Sequence, residues 1–354
     1  MIVENPSSRH TSPMFNSMAP PSLAKLAEAI LKLSDHYIKH PEQETPWSEE
    51  FCQLAYRHYY LPLNFERCRQ VIQRGLDVGF FNQLTQFVDW GAGPGTASLA
   101  LAANTHLKSQ IKRQILIDHL ATPFKIFADL HKSLIQPETV TKPSLGLLEN
   151  LNTKTSALMF SYSLTEVHDL PQGWEQFEAL LILEPATHQD GRKLLSLRQK
   201  LIQQGYSIWA PCTHQKACPL LEKSKTDWCH DRFHLTAPSW FWKLEEMLPM
   251  KNKTITTSYL LARRTPPPHA HTTDTLLGRL TGDSREEKGK TRQMICRGEE
   301  REFLTWMHKQ LKPQIFPRGD LLKLSSHFEL KSNEIRLLDH NSQPIRHNST
   351  ESSQ

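Results

Sequence analysis

Between positions 87 and 96 the chain reads Phe-Val-Asp-Trp-Gly-Ala-Gly-Pro-Gly-Thr, and no other stretch limits the possible folds as strongly. The apolar residues leading into it suit a buried strand. Ala97 to Ala103, which follow, read as a helix. Strand, glycine turn and helix in that order form the opening unit of a nucleotide-binding α/β sheet. A side chain in the turn would hold the backbone off a ligand, and glycine takes positive φ at little cost. Pro94 occupies a position where its missing N–H matters least.

Gly91, Gly93 and Gly95 follow a Gly-x-Gly-x-Gly spacing, tighter than the Gly-x-Gly-x-x-Gly of dinucleotide enzymes. Asp89 stands just before them. The combination resembles motif I of the class I S-adenosylmethionine (SAM) methyltransferases. Such a site needs a second acid at the end of the next strand to hold ribose hydroxyls. Arg113-Gln114-Ile115-Leu116-Ile117-Asp118 supplies it, with Asp118 lying 23 residues beyond Gly95.

From residue 86 onward, strand and helix patterns alternate. Strands are predicted at 86–89, 114–118, 156–160, 179–184 and 206–210, and helices at 94–104, 122–135 and 189–204. Such alternation implies a mostly parallel sheet with helices on both faces. Ligands of these sheets lie beyond the carboxyl ends of the strands. Asp89, Asp118, Ser161, Glu184 and Ala210 are therefore expected on one rim. A further strand is predicted between Thr254 and Arg264.

The remaining chain divides around this core. Residues 1–21, rich in Ser, Pro and Asn, are expected to be disordered. Residues 22–84 read as a helical region, with helices at 22–39, 48–58 and 64–79. Residues 85–264 form the methyltransferase-like domain, interrupted at 211–237 by a cysteine-rich insertion. A basic C-terminal segment at 265–339 follows, with a strand at 291–296 and a helix at 299–311, and 340–354 is expected to be a disordered tail. Cys52 and Cys68 read as core thiols. No apolar run reaches the ~20 residues of a membrane span, so no membrane partner is expected. The N-terminus lacks an apolar signal core and carries Glu4. The expected location is the bacterial cytoplasm, with the mitochondrial matrix as the alternative.

Cys212, Cys218 and Cys229 fall within eighteen residues, interleaved with His214 and followed by His230 and His234. Thiolates ligate zinc and iron–sulfur clusters. The Cys-x5-Cys-x10-Cys spacing matches neither a zinc ribbon nor a ferredoxin. A nearby histidine as fourth ligand would favour zinc. The distant Cys296 would complete a four-thiolate set of the kind iron–sulfur clusters prefer.

Taken together, the glycine stretch, Leu183-Glu184-Pro185, Ala210-Pro211-Cys212 with His214, Cys218-Pro219-Leu220 and Trp228-Cys229 resemble the methyltransferase-like family of small-ribosomal-subunit assembly proteins, bacterial and mitochondrial. Gly289-Lys290-Thr291-Arg292 leading to Cys296 resembles the family's late segment. The resemblance runs from about Ala55 to Asp320. It implies a four-iron four-sulfur (4Fe-4S) cluster on Cys212, Cys218, Cys229 and Cys296. It also implies SAM at Asp89, Gly91, Gly93, Gly95, Asp118 and Ser161, and binding to the small-subunit rRNA. The chain departs from the family's Glu-Pro-Gly-Thr at Ala186.

The expected function is SAM-dependent methylation of rRNA, or assembly of the small subunit without catalysis. A zinc-stabilised methyltransferase of another substrate is a weaker alternative. No catalytic residue stands out. Where base-amino methyltransferases carry Asn-Pro-Pro-Tyr, this chain has Ser161-Tyr162-Ser163-Leu164-Thr165-Glu166. Tyr162 there could stack on a base and Glu166 accept a proton, but lining of the cofactor pocket is the preferred reading. Residues 251–301 hold eleven Lys/Arg against six Asp/Glu. Lys251, Lys253, Arg263, Arg264, Arg279, Lys288, Lys290, Arg292 and Arg297 are candidates for phosphate contacts. Gly289-Lys290-Thr291 is not a P-loop, because Ser284 stands where its first glycine belongs.

Overall fold

The computed structural model describes residues 13–16, 18–20, 22–40, 43–141, 151–167, 170–268 and 276–347. Eight strands build the first sheet: β1 (Gln86–Trp90), β2 (Arg113–Asp118), β3 (Pro137–Thr141), β4 (Ser156–Ser161), β5 (Ala179–Glu184), β6 (Ser207–Ala210), β7 (Asp231–His234) and β8 (Thr254–Arg263). Their order is β3-β2-β1-β4-β5-β8-β6, with β7 paired to the first half of β8. β1 to β5 run parallel and β8 antiparallel to β5. β1 lies at the switch point, since the chain leaves it towards β2 on one side and reaches β4 on the other.

The central strands are apolar along their length because both faces are covered. Phe87, Leu116, Met159 and Leu181 share one core with Phe65, Val71 and Ile72 of the helix Leu61–Asp77. Val88, Ile115, Leu158 and Leu180 share the other with Leu194 and Leu201 of the helix His188–Gln203. The switch from one core to the other at each step is the two-residue period of a strand.

The helical region is more extensive than its pattern predicts. Glu50–Ala55 passes through a wider turn at Tyr56–Tyr60 directly into Leu61–Asp77. Part of the expected N-terminal disorder is corrected too. Residues 13–16 are helical, and Phe15 is fully buried, its ring 4.9 Å from that of Phe241. Residues 1–12 lie outside the described residues.

The C-terminal part is a second sheet of eight strands: β9 (Leu277–Leu280), β10 (Arg285–Glu287), β11 (Lys290–Cys296), β12 (Glu302–Met307), β13 (Leu321–Lys323), β14 (Phe328–Lys331), β15 (Glu334–Leu337) and β16 (Ile345–Arg346). Its path is β14-β15-β12-β11-β9-β13-β16, with β10 on β11. The predicted helix at 299–311 is therefore a strand. Leu304 and Trp306 point into this sheet's own core while Phe303 packs with Met294, Leu220 and Cys218 at the junction with the first unit. That alternation fits a strand and not a helix turn. The tail also begins later than expected, since residues 340–347 form a short 3-10 turn and β16.

Ion pairs cross the junction. Asp231 on β7 is paired with Arg279 on β9 and lies 3.5 Å from Arg74. Arg74 is 3.7 Å from Asp320, which Arg346 holds at 2.6 Å. The cysteine-rich insertion is thus tied near its C-terminal end, to β8 through β7 and to the second sheet through Asp231.

Candidate cofactor rim and cysteine centre

Gly91, Gly93 and Gly95 all adopt positive φ, at 69°, 51° and 81°. A Cβ on Gly91 would stand 2.5 Å from Ser163 Cβ, and one on Gly95 2.7 Å from Leu116 Cδ2. Either contact is closer than carbon atoms tolerate. At Gly93 the nearest atom is Trp47 Cζ2 at 3.8 Å, so the backbone angle and not crowding excludes side chains there.

Asp118, at the end of β2, accepts from Gly93 N at 2.7 Å and from Leu120 N at 3.0 Å. It ties the glycine loop to the neighbouring strand. Asp89 is 1% exposed, and its Oδ2 accepts from Ser98 Oγ at 2.7 Å and Ser98 N at 3.3 Å. Burial pushes its pKa up to about 7. Asp89 therefore anchors the helix Thr96–Ala102 behind the loop, and its Oδ1 has no partner among the described residues. Ser161 Oγ lies 3.6 Å from Cys68 Sγ. Buried Glu184 accepts from Leu164 N at 3.1 Å, and burial lifts its pKa to about 8. The acids and the loop meet at the rim where the sequence puts them.

Tyr162 and Glu166 follow β4 at the rim. The Tyr162 hydroxyl lies 3.3 Å from Thr257 Oγ1 on β8. Glu166 has its pKa raised, mainly by burial and next by Asp118. What covers the loop from the helical region is not foreshadowed by any sequence pattern. Trp47 packs over Gly93 and meets Tyr56, ring centroids 4.7 Å apart, and Glu44 pairs with His119 at 3.0 Å beside Asp118. Trp47 falls between predicted helices, so its role carries no periodic signal.

The four cysteines Cys212, Cys218, Cys229 and Cys296 line one internal cavity of about 30 Å³ between the sheets, and none is in a disulfide. Thr213 Oγ1 donates to Cys296 O at 3.4 Å, holding the end of β11 against the insertion. His214 Nε2 lies 3.4 Å from Cys296 Sγ, while the His230 ring lies tilted against Trp228, centroids 5.3 Å apart, outside the cavity lining. Burial depresses both imidazoles, to about 4 and about 3. Among the described residues no three His, Cys, Asp or Glu side chains converge to hold one metal ion.

The donor chemistry nevertheless fits a thiolate-bound group. Arg198 Nε donates to Cys212 Sγ at 3.1 Å, and Arg279 Nη1 to Cys229 Sγ at 3.1 Å. Arg198 Nη1, His214 Nδ1, Arg279 Nε and Thr281 Oγ1 line the same cavity without partners among the described residues. Buried polar atoms are rarely left so. The sequence reading takes Arg279 for a phosphate contact and passes over Arg198, although Arg198 follows Leu194 and Leu195 on the buried face of its helix.

The basic stretch needs correction. Arg263 pairs with Glu178, Arg279 with Asp231 and Arg297 with Glu302. Lys290 and Arg292 bind Glu287 and Glu334. Lys251 and Arg264 donate to backbone carbonyls. These cations build structure, leaving Lys253 and Lys288 of the nine as exposed residues for which no ion pair is seen among the described residues.

The switch-point rim and the antiparallel β8 beside β5 define a Rossmann-like α/β domain of the class I methyltransferase type. A family model described as mitochondrial small ribosomal subunit Rsm22 matches residues 52–302, well over half of the chain, and the chain belongs to that family. No curated protein matches it. Among solved structures, TrmK of M. capricolum with S-adenosyl-homocysteine is 11% identical, covering 57% of this chain and 72% of that one at a TM-score of 0.34. A putative RNA methyltransferase from Pyrococcus horikoshii is 10% identical, covering 56% and 84% at 0.34. An rRNA methylase from Streptococcus thermophilus is 12% identical, covering 54% and 93% at 0.31. The fold assignment rests on strand order and family membership, not on these distant likenesses. No helix among the described residues is long and apolar enough to cross a membrane.

Proposed function

We propose that this chain binds SAM and acts on the small ribosomal subunit, with small-subunit rRNA as its partner and methylation substrate. The carrying observation is the rim itself, where three positive-φ glycines, Asp118, Ser161 and Glu184 meet at the switch point. Asp118 would accept ribose hydroxyls, the glycine loop would admit the amino-acid moiety, and Ser161 would line the pocket floor. Asp89 acts one step back by fixing the helix behind the loop. Family membership supports the ribosomal partner and the mitochondrial matrix as location.

A second reading is an assembly factor that binds SAM without using it. The Tyr162 hydroxyl, 3.3 Å from Thr257 Oγ1, favours it, because Tyr162 is then turned to β8 and not to a base nitrogen. Labelled methyl incorporation into purified small-subunit rRNA separates the two. Catalysis predicts label in one nucleotide per rRNA, and the assembly reading predicts none at full SAM occupancy.

We also propose that Cys212, Cys218, Cys229 and Cys296 hold a 4Fe-4S cluster. Zinc would draw four sulfurs to within about 4 Å of one another at Zn–S distances near 2.3 Å. A multi-iron cluster spreads its thiolates around a wider body, which suits four sulfurs lining one cavity. The presence of Cys296 in that lining favours four thiolates over three cysteines and a histidine. When bound, the cluster would cross-link the two sheets through metal–thiolate bonds.

A further inference from the structure

Around the cysteine cavity, buried positive charge exceeds buried negative charge. Arg198 is 1% exposed and Arg279 4% exposed. Arg279 faces Asp231, which is 0% exposed, but Arg74 also approaches that carboxylate. Arg198 has no carboxylate among its contacts with the described residues. Its partners are Cys212 Sγ and the carbonyl of His214, at 2.9 Å, and Nη1 has none among the described residues. Arg318, close by, donates to the carbonyls of His230 and Trp228. Asp320 serves Arg346 and Arg74. Desolvated guanidinium groups on this scale require an anion. Among the described residues lining the cavity, the four cysteine sulfurs are the groups best suited to supply that negative charge.

We propose that Arg198 and Arg279 are the paired counter-cations of an anionic four-thiolate centre, one contributed by each sheet unit. The inference rests on the cluster reading above. Arg198 comes from the helix His188–Gln203 against the first sheet, and Arg279 from β9 of the second. Each donates to a sulfur of the insertion, Cys212 or Cys229, at 3.1 Å. Arg279 also sits directly across from Cys296 in the pairing of β9 with β11. Hydrogen bonds and positive charge at ligating sulfurs stabilise the more negative state of a cluster and raise its reduction potential. The same two side chains draw the second sheet onto the first when the centre is filled. They are positioning residues and do not ligate.

The test uses full-length protein purified without oxygen, as parent, Arg198→Gln and Arg198→Lys, with circular dichroism confirming the fold. Gln keeps a donor for Cys212 and removes the charge, and Lys keeps the charge. Iron and sulfide content are measured first, then the midpoint potential by dithionite titration. The expected result is a loaded parent and an Arg198→Gln potential shifted negative. At fixed potential its reduced-to-oxidised ratio falls about tenfold, about 59 mV for one electron. Arg198→Lys stays near the parent. A loaded parent with an Arg198→Gln potential unchanged overturns the counter-cation role and leaves the cluster reading standing. A parent without iron and sulfide overturns both. If Arg198→Gln does not fold, Arg198→Lys carries the test, and a potential as low as that expected for Gln would show that charge at this position is not what matters.

Discussion

Arg279 and Cys296 are cross-strand partners on β9 and β11, and the same guanidinium reaches Cys229 across the junction at 3.1 Å. Arg279 thus holds the Cys229 sulfur through its side chain and stands opposite Cys296 through the strand pairing. The pairing explains how a late segment of the chain joins a site begun in the insertion.

Cys296→Ser is expected to lose iron without unfolding either sheet, because the second sheet keeps its own core of Leu304, Trp306, Leu322 and Ile335. The change should appear at the junction. Hydrogen exchange in β9 and β11 should quicken, while the glycine loop keeps the protection of the parent. Equal iron in variant and parent would remove Cys296 from the centre. Zinc at about one per chain, kept by Cys296→Ser and lost on changing His214, would instead support the three-cysteine alternative.

Stability should fall with rising pH through the titration of two buried acids. Asp89 is raised from 3.8 to about 7 and Glu184 from 4.5 to about 8, each chiefly by burial. A carboxyl raised in the folded state adds stability that is complete below its unfolded pKa and lost as pH climbs through the folded one. The windows are therefore 3.8 to about 7 for Asp89 and 4.5 to about 8 for Glu184. Asp89→Asn and Glu184→Gln should each flatten the decline in Tm across their window. Parallel Tm curves for variants and parent would show that neither acid is held protonated.

Lys290 is expected to matter for folding before it matters for RNA. It is bound to Glu334, whose side chain is 9% exposed, in a cluster with Glu287, Arg292 and Arg336. Lys290→Glu should cost about 1–3 kcal/mol of stability, read as a lower urea midpoint, because it leaves a half-buried carboxylate facing another. Lys288→Glu should stay within about 0.5 kcal/mol, as for an exposed site. A Lys290→Glu midpoint equal to the parent's would show that the ion cluster contributes nothing.

The first sheet was legible because its signals are local. Apolar runs at 86–90 and 179–184 declare buried strands, and the glycines between Trp90 and Thr96 declare the turn. β3 was missed because Pro-Glu-Thr-Val-Thr is a half-exposed edge strand with little apolar content. β12 was read as a helix because Phe303, Leu304 and Trp306 split between two cores, and a sequence does not announce a second core. The rim acids were found through their offset from the glycines. Trp47 over Gly93, and Arg279 beside Cys229, depend on long-range packing that no spacing encodes.

The central claim is that the glycine rim binds SAM, and calorimetry tests it most directly. Parent protein should bind one SAM per chain. Asp118→Ala, which removes the tether to Gly93 N and the proposed ribose acceptor, should weaken binding by about 1–3 kcal/mol. Gly93→Val, at φ 51°, should abolish it. No heat from the parent, or parental affinity in both variants, would contradict the account.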